Sequence, residues 1–338
     1  MFSARPTTRR GLIGIALGAV SAGAYAAARG RGTPVSAPGS RATPSSTATP
    51  SGVPADVPPT PAQSTPAQST PARSELPRGG RVVLPDYRLV GFCGAPGAPA
   101  LGRLGVGELE ARVRELERLG PAYTAGRRLL PVLELVAVVA QPHPGRDGQY
   151  RFRIDPADIR TYLGAARRHR ALLLLNVQPG RARFIDEVRA LEPWLCEPDV
   201  GLALDPEWAV RAGQVPGRVF GRTTGPEIDE VARYLSTLVE AGGLPEKVLV
   251  VHQLAPRIVL NLSAVRHRPG VALVKSVDGI GPPAAKVDTW RQLVRDLPAG
   301  MRPGFKLFFS EDSAGPSRLM TPTEVLALRP VPDYVMYE

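Results

Sequence analysis

Asp205-Pro206-Glu207 places two carboxyl groups two residues apart at the end of an apolar run, Leu202-Ala203-Leu204. In extended chain, residues two apart share a face and lie roughly 7 Å from each other. A carboxylic acid beside a second carboxyl is suited to breaking an acetal. The acid gives its proton to the leaving oxygen. The second group, or an acetamido oxygen of the substrate, stabilises or attacks the cationic carbon left behind. Glu207 is therefore the candidate acid and Asp205 its partner. Glu311 ends another apolar run and is a second candidate partner for Glu207. Carboxyls roughly 5 Å apart would mean retention of configuration, and about 6.5–9.5 Å inversion. Asp-Pro at a strand end is also an ordinary turn, so the tripeptide acquires meaning only from its place in a fold.

Further polar residues collect where apolar runs end: Gln178, Trp208, His252, Gln253, Lys275, Asp278, Asp312 and Tyr337. Acids, amides and an aromatic ring around one mouth suit a polyhydroxylated ligand, and these eight are the candidate binding residues. Glu134 sits inside Val132-Leu-Glu-Leu-Val136 and reads as an inward-facing structural acid, with Lys306 a candidate partner. His252 with Asp205 and Asp278 could ligate a metal. A barrel metallohydrolase would show a closely spaced His pair, and the sequence has none, so neither metal nor cofactor is expected.

Eight short apolar runs must position these groups: Tyr87–Cys93, Leu130–Ala140, Ala171–Val177, Val200–Asp205, Lys247–Gln253, Val271–Val277, Gly304–Ser310 and Asp333–Glu338. Near-continuous apolar character is that of parallel strands covered on both faces. Helical spacing predicts helices at Gly107–Leu119, Pro156–His169, Ala182–Leu195, Glu227–Ala241, Pro256–Val265 and Ala284–Leu297. Asp155-Pro156 has the form of an N-cap followed by Pro, and Thr321-Pro-Thr-Glu324 that of a capping box. Eight repeats, with long connections after the strands, predict an α/β fold, a single closed (β/α)8 barrel. No Gly-x-Gly-x-x-Gly follows the first run, which argues against a dinucleotide-binding sheet. The final helix is missing, and the segment before the first strand is expected to cover that gap.

An Asp-x-Glu closing the fourth strand of such a barrel resembles the chitinase-type family 18 and lysozyme-type family 25 glycoside hydrolases. The resemblance implies that Glu207 is the general acid and that Asp205 assists. The further Asp residues of the chitinase pattern are Ala203 and Val200 here, and the first strand, Arg88-Leu-Val-Gly-Phe-Cys93, lacks the Asp of the lysozyme pattern. The alternative is a non-catalytic carbohydrate-binding or wall-scaffold barrel.

The remaining sequence suggests where such a domain would act. Arg9-Arg10 precedes an apolar, Gly/Ala-rich stretch from Leu12 to Ala28, which resembles a twin-arginine export signal. Residues 1–28 are read as signal or anchor, 29–80 as a disordered Pro/Ser/Thr/Ala linker, and 81–338 as the barrel. The expected setting is extracellular or cell-envelope, the expected partner a polysaccharide or cell-wall glycan. Membrane contact would come only through an uncleaved N-terminal segment. Of the net charge of +11, +6 falls in residues 1–80, leaving +5 over 258 residues. With no basic run interleaved with aromatics, nucleic acid is not an expected partner. Cys93 and Cys196 belong to opposite barrel ends and are expected to be free, buried thiols.

Overall fold

A computed structural model describes residues 74–338. The export signal and nearly all of the linker lie outside the described residues. Eight strands form the centre: β1 (Tyr87–Gly94), β2 (Arg128–Ala140), β3 (Leu172–Val177), β4 (Val200–Leu204), β5 (Lys247–Gln253), β6 (Val271–Val277), β7 (Arg302–Leu307) and β8 (Tyr334–Tyr337). Each pairs in parallel with its sequence neighbours, and β8 pairs with β1, so the sheet closes. This is a TIM-type (β/α)8 barrel. No residue of β1, β3, β4, β5 or β6 is exposed. Inward side chains fill the barrel while outward ones meet helices, which is why the runs do not alternate with polar residues.

The outer layer contains α1 (Leu109–Leu119), α2 (Pro156–Arg168), α3 (Phe184–Ala190), α4 (Gly225–Gly242), α5 (Pro283–Leu293) and α6 (Pro322–Leu326). Asp155 caps α2 by accepting from the Ala157 amide at 2.8 Å, and the Thr321/Glu324 capping box opens α6. A second capping box, Thr224/Glu227, opens α4 two residues before its expected start. The expected Ala182–Leu195 helix is broken between α3 and the short turn Glu192–Leu195, where Pro193 has no amide hydrogen to continue the ladder. Pro256–Val265 is not a helix. Two 3-10 turns flank a two-residue strand, Val259–Leu260, which pairs with Thr223–Thr224. Asn261, in the left-handed region at φ 52°, interrupts any helical path despite the helical spacing of Ile258, Leu262 and Val265.

The described part of the segment before β1, residues 74–86, is not a helix completing the outer layer. It crosses the N-terminal end of the barrel instead. Glu246, ahead of β5, accepts from the amides of Val83 (2.6 Å) and Leu84 (3.2 Å), and the Tyr87 hydroxyl reaches the carbonyls of Arg78 and Gly79. Leu76 and Val83 are buried, so packed chain begins within the stretch read as linker. The outer face of β8 and β1 is covered by aromatic side chains. The Tyr123 hydroxyl bonds that of Tyr337, whose ring also stacks on Phe309 and meets Phe92 edge-on. The turn carrying Tyr123 packs against α6.

Both cysteines are free. Cys93 is buried inside the barrel, but Cys196, expected to be buried, is exposed because it lies just past the short turn Glu192–Leu195. Among the described residues no helix is long and apolar enough to cross a membrane.

Candidate functional site

Alternate residues on each strand face inward, and near the C-terminal end of the barrel these positions are polar. His252 of β5 lies at the centre, fully buried. Its Nδ1 lies 2.8 Å from Asp278 Oδ2, just past β6, and its Nε2 lies 3.0 Å from Glu134 Oε1 of β2. Glu134 also accepts from Asn176 Nδ2 at 2.8 Å and from the Tyr334 hydroxyl. Asn176 Nδ2 reaches on to Asp205 Oδ1 at 3.2 Å, and Gln178 Nε2 reaches Asp205 Oδ2 at 3.3 Å. Asp278 further accepts from Ser276 Oγ at 2.7 Å. Lys306 Nζ lies 3.5 Å from Asp278 and 2.5 Å from Glu338. One polar network thus links β2 through β8, every strand of the barrel except β1.

The charges in this network divide into two sets. Burial alone would raise the Glu134 and Asp278 carboxyls. The positive charges of His252 and Lys306 overcome it and hold both at about 2. Burial opposes charge on His252, but Asp278 and Glu134 on either side push its affinity for a proton well above that of free imidazole. Lys306 is likewise raised, by Glu338 and Asp278 against burial. These two cations and two anions compensate one another. Asp205, Glu207 and Glu338 remain, and burial raises all three. Such carboxyls hold their protons above the usual carboxylate range.

Glu207 is the most strongly displaced of these, well above its ordinary value. Burial is the first cause and the neighbouring Asp205 charge the second. Its Oε2 is buried and has no hydrogen-bond partner. Leaving a buried polar atom unsatisfied costs about 1–3 kcal/mol, so the surrounding fold must hold it there. The Asp205 amide continues the ladder to Val177 O at 3.1 Å, after which Pro206–Trp208 forms a single 3-10 turn. The loop then folds back, and the Gly221 amide donates to Glu207 O at 2.6 Å. A Cβ on Gly221 would lie 2.2 Å from the Ala209 carbonyl oxygen, so only glycine permits this closure.

Asp205, Glu207, Gln178, His252 and Asp278 are thus brought together at the barrel mouth. Glu311 is not joined to them. It is exposed on the loop after β7 and lines a small cleft of about 170 Å³ with Phe309, Arg103 and Glu338. Trp208 is half-buried on the turn beside Gly217.

Four expected binding residues are placed elsewhere. Lys275 is one residue out of phase with Ser276, so it faces outward and bonds Leu293 O of α5 at 2.6 Å, where burial pushes it down to about 8. Gln253, out of phase with His252, holds its own loop through the Ala255 and Pro256 carbonyls. Asp312 is fully buried against Lys286 at 2.8 Å, and it accepts from the amides of Gly281 and Phe308. Tyr337 lies on the outer face described above. The residues not anticipated are Asn176, Ser276 and Tyr334. Of these Asn176 has a sequence signal, a lone polar side chain inside the apolar run Leu172–Val177.

Both imidazole nitrogens of His252 face carboxylates, so the cationic ring has no lone pair to offer a metal. Among the described residues no group of three or more His, Cys, Asp or Glu is arranged to hold one. No protein-family model matches this chain, and no curated protein matches it.

Proposed function

We propose that the barrel mouth binds a glycan and hydrolyses it, with Glu207 as general acid. The observation that carries this reading is the Glu207 carboxyl. Its Oε2 is buried and unpartnered in a half-buried residue, and its proton affinity is raised by burial and by Asp205 at the strand end where barrel enzymes place their chemistry. An acid whose proton affinity is raised well above that of an ordinary carboxyl can deliver its proton to a glycosidic oxygen. The C1–O bond then breaks with the electron pair going to the protonated oxygen. The positive charge at C1 develops beside Asp205, which Gln178 and Asn176 orient, and a water molecule then adds at C1 and passes its proton to the Glu207 carboxylate. Asn176 Oδ1 is a second buried acceptor without a donor, and sugar hydroxyls are donors of the right kind. The substrate in this proposal is an extracellular or cell-wall polysaccharide.

A non-catalytic carbohydrate-binding barrel is the second reading, and the exposed position of Glu311 favours it, because the mouth then lacks a separate nucleophile. Reducing-end release from purified wall polysaccharides distinguishes the two. The expected result is release by the full chain and none by Glu207→Gln. Equal release by both removes Glu207 as the acid. Binding without release by either protein establishes the second reading.

A further inference from the structure

The opposite end of the barrel carries a cavity of about 550 Å³, within the range of small-ligand sites. Arg78 from the segment before β1, Arg128 at the start of β2, Arg168 at the end of α2, and His169 and Arg170 between α2 and β3 line it, with Glu117 its single acid. We propose that this cavity binds a phosphate-class oxyanion.

The Arg78, Arg128 and Arg170 guanidinium groups are fixed but not neutralised, whereas Arg168 is paired with Glu110. Arg78 Nε donates to Arg170 O at 3.2 Å and its Nη1 to Leu129 O at 3.3 Å. Arg170 Nε donates to Pro77 O at 2.9 Å. Arg128 donates to the Arg78 carbonyl and lies 4.4 Å above the Tyr87 ring. A carbonyl or a ring orients a guanidinium while leaving its charge in place. Among the described residues none of these three arginines forms an ion pair with a carboxylate. Burial and the nearby Arg170 and Arg128 charges lower the proton affinity of Arg78 against the pull of Glu117. The three charges therefore repel one another, and an anion among them would relieve that repulsion.

The backbone adds an independent observation. Arg170 follows the last residue of α2's cap and has φ 50°, the left-handed conformation that glycine usually fills at this place. A long side chain is kept where the backbone favours none, and it points a guanidinium at the cavity. Arg78 Nη2 and both Arg170 Nη atoms make no hydrogen bond to another described residue. Guanidinium forks match phosphate oxygens in pairs.

Calorimetric titration of inorganic pyrophosphate into the full chain at low salt tests the site. Wild type should bind, and Arg128→Gln and Arg170→Gln should each weaken binding about tenfold or more. Glu117→Gln breaks none of the carbonyl bonds and should tighten binding, so the test survives if an arginine variant fails to fold. Arg291→Gln, a distant exposed control, should leave it unchanged. No heat at millimolar pyrophosphate overturns the proposal, as does equal affinity in folded arginine variants or weaker binding in Glu117→Gln. Sedimentation with phosphatidylglycerol vesicles separates a lipid headgroup from a soluble phosphate. Vesicle binding displaced by pyrophosphate assigns the cavity to the headgroup. Vesicle binding that persists, with no binding of pyrophosphate, overturns it.

Discussion

The two ends of the barrel handle charge in opposite ways. At the C-terminal end, cations and carboxylates are buried together, each paired through short hydrogen bonds around His252. The surplus there is acidic, and burial raises the proton affinity of Asp205, Glu207 and Glu338. At the N-terminal end the surplus is basic and open to solvent, and Arg78 and Arg170 are held by neutral carbonyls. A dry interior cannot leave net charge unpaired, whereas a wet cavity can. The difference suggests proton chemistry at one end and anion capture at the other.

Glu207→Gln should give the largest effect on this contrast. Loss of a general acid typically costs about 10²–10⁴ in rate. The amide keeps the shape of the side chain and removes a carboxyl whose proton affinity is raised in the native structure. The unfolded Glu titrates near the ordinary value of about 4.3, below the native one, so native protein binds more protons between those values. Stability contributed by this group therefore falls as pH rises through that window. Glu207→Gln should lose hydrolysis yet match or exceed wild-type stability above neutral pH, as thermal unfolding would register. Retained hydrolysis, or a large loss of stability, would break the assignment.

His252→Leu comes next. It strands Glu134 and Asp278 as buried anions without their central cation, a change that costs about 3–5 kcal/mol. Urea unfolding checks it, and a loss below about 1 kcal/mol would show that the network is not the charge-balanced unit described above.

Acid titration gives a smaller, graded effect. Glu134 and Asp278 sit at about 2 in the folded protein and near 4 when unfolded. Their contribution is present above pH 4 and is lost as pH falls toward 2, to the extent of a few kcal/mol together. His252 works in the other direction. Its contribution is full below about 6.5 and disappears only as pH rises through its raised folded value. A stability profile flat from pH 4 to 2 would contradict the ion pairing.

Salt should separate the two ends with the smallest shift in stability. Raising ionic strength to 1 M shortens the screening length to about 3 Å. Pyrophosphate binding at the open arginine cavity should weaken, while the stability gap between wild type and His252→Leu should hold. Equal salt sensitivity at both ends would erase the contrast.

The barrel was legible in the sequence because its strands are buried on both faces. Lys247–Gln253 and Val271–Val277 have the same bounds in sequence and structure. Pro256–Val265 was not legible, since apolar residues at helical spacing also fit two turns around a short extended pair. In the site, Asp205 and Glu207 were marked by position, at the end of the fourth strand. Lys275 and Gln253 were misread because a strand end shows which residues are polar but not which face each takes. One residue of phase moves a side chain from the barrel interior to the helix layer. Glu134 was recognised as a buried acid, but its partners His252, Asn176 and Tyr334 come from strands up to 200 residues away along the chain.

The sequence by itself determined the eight-strand alternation, most helix boundaries and the address of the Asp-x-Glu pair, because these follow from burial patterns and capping chemistry within a few residues. Only the tertiary structure decided which acids have a raised proton affinity. That depends on burial and on charges contributed by other strands, which no local spacing encodes. The same holds for the arginine cavity, whose side chains meet only because the segment before β1 folds across the barrel end.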